Sequence, residues 1–250
     1  NVAFDSGSSG FSAIAVVPSE GGTPLLLTTR TDENLWPSWS PDGQRIAFAR
    51  RSGDRGIWTM NTTGGDLRHI VDYGEDPSWS PDGTTIAFVG ANGIELVPAA
   101  GGMATPLTGG TGAQAPCWSP DGTQIAFEID GTGIFRVSSA GGVVEMVSVL
   151  AGAEEPTWSK SGWIAFHANV AGETEIWAAP VAPRGTEVRL VSAAELGTES
   201  YSPAFGPNGE LVFDGACCGT LDGLWVAGGL VTPVRATTWG SLKALYRGRD

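Results

Sequence analysis

Short apolar triplets recur along the chain at nearly constant intervals. Ile46-Ala-Phe48, Ile86-Ala-Phe88, Ile125-Ala-Phe127, Ile164-Ala-Phe166 and Leu211-Val-Phe213 each follow a polar segment containing glycine. After a further polar loop comes a second apolar stretch: Ile57 to Met60, Ile94 to Val97, Ile134 to Val137, Ile176 to Ala179 and Leu224 to Ala227. Apolar side chains alternating between turn residues have the period of a half-buried strand, and no segment carries the 3.6-residue period of a helix. Glycine pairs or Pro/Gly clusters come next (Gly64-Gly65, Gly101-Gly102, Gly141-Gly142, Pro183 to Gly185, Gly228-Gly229). A last short strand then closes the unit, as in Pro106 to Thr108 or Arg189 to Ser192.

Each triplet is announced by an aromatic residue and a turn. Trp39-Ser-Pro-Asp-Gly43 is repeated at Trp79 to Gly83 and Trp118 to Gly122, with weaker copies at Trp158-Ser-Lys-Ser-Gly162 and Phe205-Gly-Pro-Asn-Gly209 and a sixth start at Trp239-Gly-Ser241. The aromatic positions are 40, 39, 40, 47 and 34 residues apart. Proline precedes the aromatic by two residues at Pro37, Pro77, Pro116, Pro156 and Pro203, with a small residue between. Pro presets φ, Asp or Asn caps locally and Gly takes positive φ, so Ser-Pro-Asp-Gly reads as a tight turn. Four short strands per unit of about 40 residues predict the blades of an all-β propeller.

The Pro-x-Trp-Ser-Pro-Asp-Gly-x-x-Ile-Ala-Phe pattern resembles the repeats of TolB-like β-propellers and of related periplasmic and peptidase-associated domains. The resemblance covers essentially the whole chain. It implies a TolB-like propeller without the N-terminal domain of TolB, engaging a protein partner across one face.

Both chain ends enter the expected blade count. Val2-Ala-Phe4, Ile14 to Val17 and Leu25 to Thr28 match the second, third and fourth strands of a unit without a first, and the stretch around Trp239 supplies a first strand without the rest. The expectation is a single six-bladed propeller over 1–250 with four antiparallel strands per blade. One blade is shared by 1–30 and 235–250, and the others start near 33, 73, 112, 152 and 199. Ala244-Leu-Tyr246 competes with Val2 to Phe4 as a second strand.

Composition narrows the function classes. The 250 residues include 37 Gly and 16 Pro, suited to many turns, and no apolar run is long enough for a membrane-spanning helix. A net charge of −13 repels phosphate backbones, which argues against nucleic acid. The chain opens at Asn1 and reads as a processed or excised segment. The resemblance places it in the periplasm or outside the cell, with the monomer as the default state.

Most recurring residues have structural explanations. The aromatic series suits packing of one blade on the next. Asp42, Asp82 and Asp121 are matched elsewhere by Ser161 and Asn208, which share turn chemistry but not acid–base chemistry. Cys117 fills a slot otherwise held by Ser38, Ser78, Thr157 and Ala204. Cys217 and Cys218 read as two thiols or a strained vicinal disulfide. His69 falls in a fourth strand and His167 just after a second strand, so the two belong to different blades. No nucleophile elbow, metalloprotease helix or phosphate loop is present, and the chain is expected not to be an enzyme.

One constellation stands out: Asp32-Glu33, Glu75-Asp76, Glu154-Glu155 and Glu199 lie just upstream of successive first strands, with Trp36 and Tyr201 close by. The third unit has Gln114-Ala115 instead, and Arg235 is placed to pair with one acid. These acids read either as a mouth for a basic partner surface or a divalent cation, or as solvated loop carboxylates. No cofactor is expected beyond such a cation. The leading reading is a non-catalytic protein-binding scaffold. The alternatives are a carbohydrate-binding or lyase-like propeller using Trp36, Trp163 and Tyr201, and the substrate-gating cap of a larger enzyme.

Overall fold

A computed structural model describes residues 1–8, 11–18, 23–29, 31–110, 112–150, 152–181, 186–192, 199–205, 211–217 and 221–227. Among them every regular element is a strand. Sheets of three strands form at the two ends of the described chain. The first is β1 (Val2–Ser8), β2 (Phe11–Val17) and β3 (Leu25–Leu26); the last is β20 (Glu199–Phe205), β21 (Leu211–Cys217) and β22 (Leu221–Ala227).

Four sheets of four strands lie between. They are β4 (Asn34–Trp39), β5 (Arg45–Arg50), β6 (Gly56–Asn61), β7 (Arg68–Val71); then β8 (Glu75–Trp79), β9 (Thr85–Gly90), β10 (Gly93–Pro98), β11 (Thr105–Pro106). The next two are β12 (Ala113–Trp118), β13 (Gln124–Ile129), β14 (Gly133–Ser138), β15 (Glu145–Ser148); and β16 (Glu154–Trp158), β17 (Trp163–Val170), β18 (Glu173–Pro180), β19 (Val188–Val191). Within each sheet the strands lie side by side in chain order. By compactness the chain divides into two units, residues 1–125 with 138–143, and 126–137 with the described part of 144–250.

The strand periodicity is recovered, but the count of six four-stranded blades is not. Five blades open on a first strand of their own, at β4, β8, β12, β16 and β20. Among the described residues the N-terminal sheet consists of β1, β2 and β3 alone. The residues on which that closure relied, 235–250, lie outside the described residues, as does Arg235. The physical reason for the miscount is that three strand-like segments were completed to a blade by analogy, whereas a blade needs backbone pairing to its first strand.

The turn explains how a strand pair is set. Ser40 Oγ donates to Asp42 Oδ1 at 2.6 Å, and Asp42 Oδ1 accepts the Gln44 N–H at 3.0 Å. Arg45 N–H donates back to Ser40 Oγ at 2.9 Å, closing the start of β5 onto the end of β4. The same bonds recur at Ser80–Asp82 and Ser119–Asp121, while Ser159 and Ser161 pair at 3.0 Å in the fourth copy. The serine hydroxyl, then the backbone N–H two residues on, hold Asp42, Asp82 and Asp121 below the usual carboxylate range. These aspartates are turn formers.

The second strands are covered on both faces, so all three residues of each Ile-Ala-Phe triplet are fully buried. Phe48, Phe88, Phe127, Phe166 and Phe213 are fully buried. In the first unit Ile14, Val16, Ile46, Phe48 and Met60 pack with Trp39 and Trp58, and a second cluster around Ile57, Ile86, Phe88 and Val97 takes Trp36 and Trp79. In the second unit Ile176, Val191, Leu211 and Phe213 pack with Trp163 and Phe205. Hydrogen bonds join neighbouring first strands as well: Trp79 N–H reaches Ser38 Oγ at 3.4 Å, and Phe205 N–H reaches Thr157 Oγ1 at 3.3 Å.

Candidate functional site

Every blade with its own first strand has a left-handed residue three positions before the motif aromatic. These are Trp36 (φ 51°), Asp76 (53°), Ala115 (48°), Glu155 (52°) and Ser202 (46°). Each precedes a proline, and the strand register slips there, between Leu35 and Ser38, Glu75 and Ser78, Glu154 and Thr157, and Tyr201 and Ala204. A bulge of this kind bends the strand and re-aims the side chain that occupies it. Left-handed φ is unfavourable for residues other than Gly, Asn and Asp. The backbone position is constant while its side chain changes from blade to blade.

In the first unit this bulge carries Trp36, Asp76 and Ala115. Arg51, immediately after β5, binds Glu75 through two bonds, Nε to Oε1 and Nη2 to Oε2, both 2.7 Å. Its Nη1 lies 3.8 Å from Glu33 Oε1, and its guanidinium carbon is 4.5 Å from the centre of the Trp36 ring. The bond to Glu75 raises the affinity of the guanidinium for its proton still further. Glu33 and Glu75 are thus brought together, but around an arginine. The Arg50-Arg51 pair, two adjacent cations in a chain with 14 Lys and Arg, is the sequence signal that could have found it.

In the second unit Glu154 and Glu155 flank His167. Register pairs Glu154 with His167, putting Nε2 3.4 Å from Glu154 Oε2, and Nδ1 lies 3.7 Å from Glu155 Oε2. His167 is 7% exposed, and its ring meets Tyr201 edge-on at 5.5 Å. The Glu155 N–H donates to Glu128 Oε2 at 2.6 Å. His167 lies inside β17, not beyond its strand as expected, because β17 extends to Val170. Antiparallel pairing across a short turn sets the residue after the buried Phe opposite the residue before the bulge, so this contact was open to a reading of the repeat.

The remaining candidates divide. Glu199 opens β20, and its side chain lies outside the described residues. Cys218 and the side chain of Cys217 lie outside them too. Cys117 is partly buried in the small-residue slot of β12, its thiol reaching the Trp118 carbonyl oxygen at 3.6 Å. Trp163 packs against the core of the second unit. His69 lies in β7, stacked on Trp58 at 4.5 Å. Among the described residues no three His, Cys, Asp or Glu side chains are placed to hold a metal ion. No helix there is long and apolar enough to cross a membrane.

No family model matches the sequence. A segment of 60 residues is 38% identical to the Tol-Pal system protein TolB of Zymomonas mobilis, which covers 23% of this chain and 13% of that protein's length. Structural likeness extends much further. A protein assigned as TolB from Agrobacterium tumefaciens matches 93% of this chain and 89% of its own at 19% identity and TM-score 0.75. TolB from Acinetobacter baumannii matches 90% of this chain and 60% of its own at 20% identity and the same TM-score of 0.75. The likeness also reaches an enzyme, the oligogalacturonate lyase of Vibrio parahaemolyticus, which covers 95% of this chain and 71% of its own at 11% identity and TM-score 0.61. At these identities the likeness establishes architecture, and the architecture is that of a TolB-like β-propeller.

Proposed function

We propose that this chain is a non-catalytic scaffold that engages a protein partner through the bulged ends of its first strands, in the periplasm or outside the cell. The observation that carries this reading is the constant bulge with changing side chains. Residues with a purely architectural task repeat in kind, as the turn aspartates and the buried phenylalanines do. Trp36, Asp76, Ala115, Glu155 and Ser202 share one backbone conformation and no side-chain chemistry. Backbone strain of about 1–3 kcal/mol per residue persists where the surrounding structure fixes the conformation, whatever side chain occupies it. Within each unit, a fixed backbone presenting varied groups is the arrangement of a recognition surface.

The carbohydrate reading has less support. Stacking on a sugar needs an open ring face, but the Trp36 ring carries Arg51 and Trp163 is packed against the core. The proposed partner surface is basic around Glu154 and Glu155, whose side chains are 45% and 47% exposed.

The test is capture from an envelope extract of the source organism on immobilised chain, with identification by mass spectrometry. A species retained by the parent chain and lost from Glu75→Lys, Glu154→Lys and Trp36→Ala supports the reading. Retention unaffected by all three would overturn this surface as the docking site.

A further inference from the structure

Beside the Arg51–Trp36 stack the first unit has a cleft of about 550 Å³, whose wall includes Glu75 of the scaffold surface but whose Arg50 and Arg55 that reading leaves unused. Three arginines, Arg50, Arg51 and Arg55, converge on it with Glu33, Asp72 and Glu75. Arg51 is occupied by Glu75 and Glu33, as described above.

Arg50 is held differently. Its Nε donates to Oδ1 of Asn34, which is fully buried, at 3.1 Å, and its guanidinium carbon stands 4.6 Å from the Trp58 ring centre. The ring behind it is itself backed by His69 at 4.5 Å. Cross-strand register produces this stack, since Phe48, Trp58 and His69 are paired along β5, β6 and β7 and Arg50 lies two residues beyond Phe48 on the same face. Among the described residues the two terminal nitrogens of Arg50 have no hydrogen-bond partner, and the Arg55 guanidinium has none. A guanidinium fixed through Nε and one face, with its terminal nitrogens open to a cleft, is pre-organised for a planar oxyanion.

We propose that this cleft binds a single carboxylate group, held in two bonds by Arg50 and neutralised further by Arg55. The three acids on its walls balance the three arginines, so a polyanion meets Asp72 and Glu75 while a monoanion meets the open donors of Arg50. The carboxylate we assign is a glutamate or aspartate side chain of a polypeptide. That source alone rests on the protein-partner reading; the carboxylate chemistry stands without it.

The experiment is an NMR titration of the purified chain, following the arginine side-chain and Trp58 indole signals. The probes are the blocked peptide acetyl-Gly-Glu-Gly-amide, its Gln counterpart and galacturonate, each at low and high salt. Saturable shifts are expected with the Glu peptide, none with the Gln peptide, and weakening by added salt. Arg55→Gln, at an exposed position, and Arg50→Lys, which keeps the charge but not the planar fork, should each weaken binding about tenfold or more. No saturable shift with either carboxylate, or equal binding by parent and both variants, would overturn the site. Saturation by galacturonate alone would overturn the polypeptide source. Partner capture unchanged by Glu75→Lys, Glu154→Lys and Trp36→Ala, with the Glu peptide still bound by the parent chain, would sink the scaffold surface and leave this cleft standing.

Discussion

Arg51 lies with its guanidinium carbon 4.5 Å from the centre of the Trp36 ring while its Nε and Nη2, on one edge, hold the Glu75 carboxylate. A planar cation is thereby fixed on an aromatic face and a carboxylate at once. Both partners of the ion pair are about two-fifths exposed, at 40% and 43%, so solvent weakens the pair. Arg51→Ala should cost about 1 kcal/mol, shared between the pair and the cation–π contact. A double-mutant cycle with Trp36→Ala in urea unfolding should give a coupling of about 0.5 kcal/mol or more. Additive single effects would mean the stack contributes nothing.

The left-handed bulge offers a substitution that stabilises. Ala115 has φ 48° and no polar side chain to serve. Ala115→Gly should raise stability by about 0.5–1 kcal/mol, the gain at positive φ exceeding the entropy lost from the unfolded chain. Chemical denaturation reads this directly. Destabilisation would show that the Ala115 methyl packs usefully.

Tyr73 and Glu95 form a second pair worth testing. Tyr73 Oη donates to Glu95 Oε2 at 2.7 Å, and Glu95 is 2% exposed. That hydrogen bond, with burial next, pushes the phenol up to about 12. Because the folded value lies above the ordinary 10.0, the stabilisation is complete below pH 10 and is lost as pH rises through about 12. Ultraviolet titration should show one tyrosine ionising that late, absent from Tyr73→Phe. The same variant leaves a buried carboxylate short of a donor and should cost about 1–3 kcal/mol.

Acid should act through the turns. Asp42, Asp82 and Asp121 all lie below their usual 3.8 because of serine hydroxyl bonds. A depressed folded value contributes stability above the unfolded value that disappears as pH falls through the folded one. Thermal melts between about pH 2 and 6 should therefore steepen below pH 4, in the range of unperturbed aspartate. Ser80→Ala with Ser119→Ala should flatten that fall. An unchanged pH profile in the double variant would remove the serines as its cause.

The amino-acid sequence determined, by itself, where strands and turns occur, because side-chain alternation and Ser-Pro-Asp-Gly chemistry act over a few residues. Ser40 to Arg45 close in the structure as their order demands. It also marked the apolar triplets as core segments, but not that both faces of those strands are covered, since Ile46, Ala47 and Phe48 are all fully buried. Tertiary structure alone decided the rest. Whether Val2 to Leu26 becomes a blade depends on a first strand far away in sequence, and the described sheet has three strands. The acids upstream of the first strands were visible, and the repeat could have set His167 opposite Glu154, but nothing local placed Arg51 between Glu33 and Glu75. Nor could periodicity show that Trp36 sits at positive φ, because a bulge is a property of the pairing between two strands and not of either one.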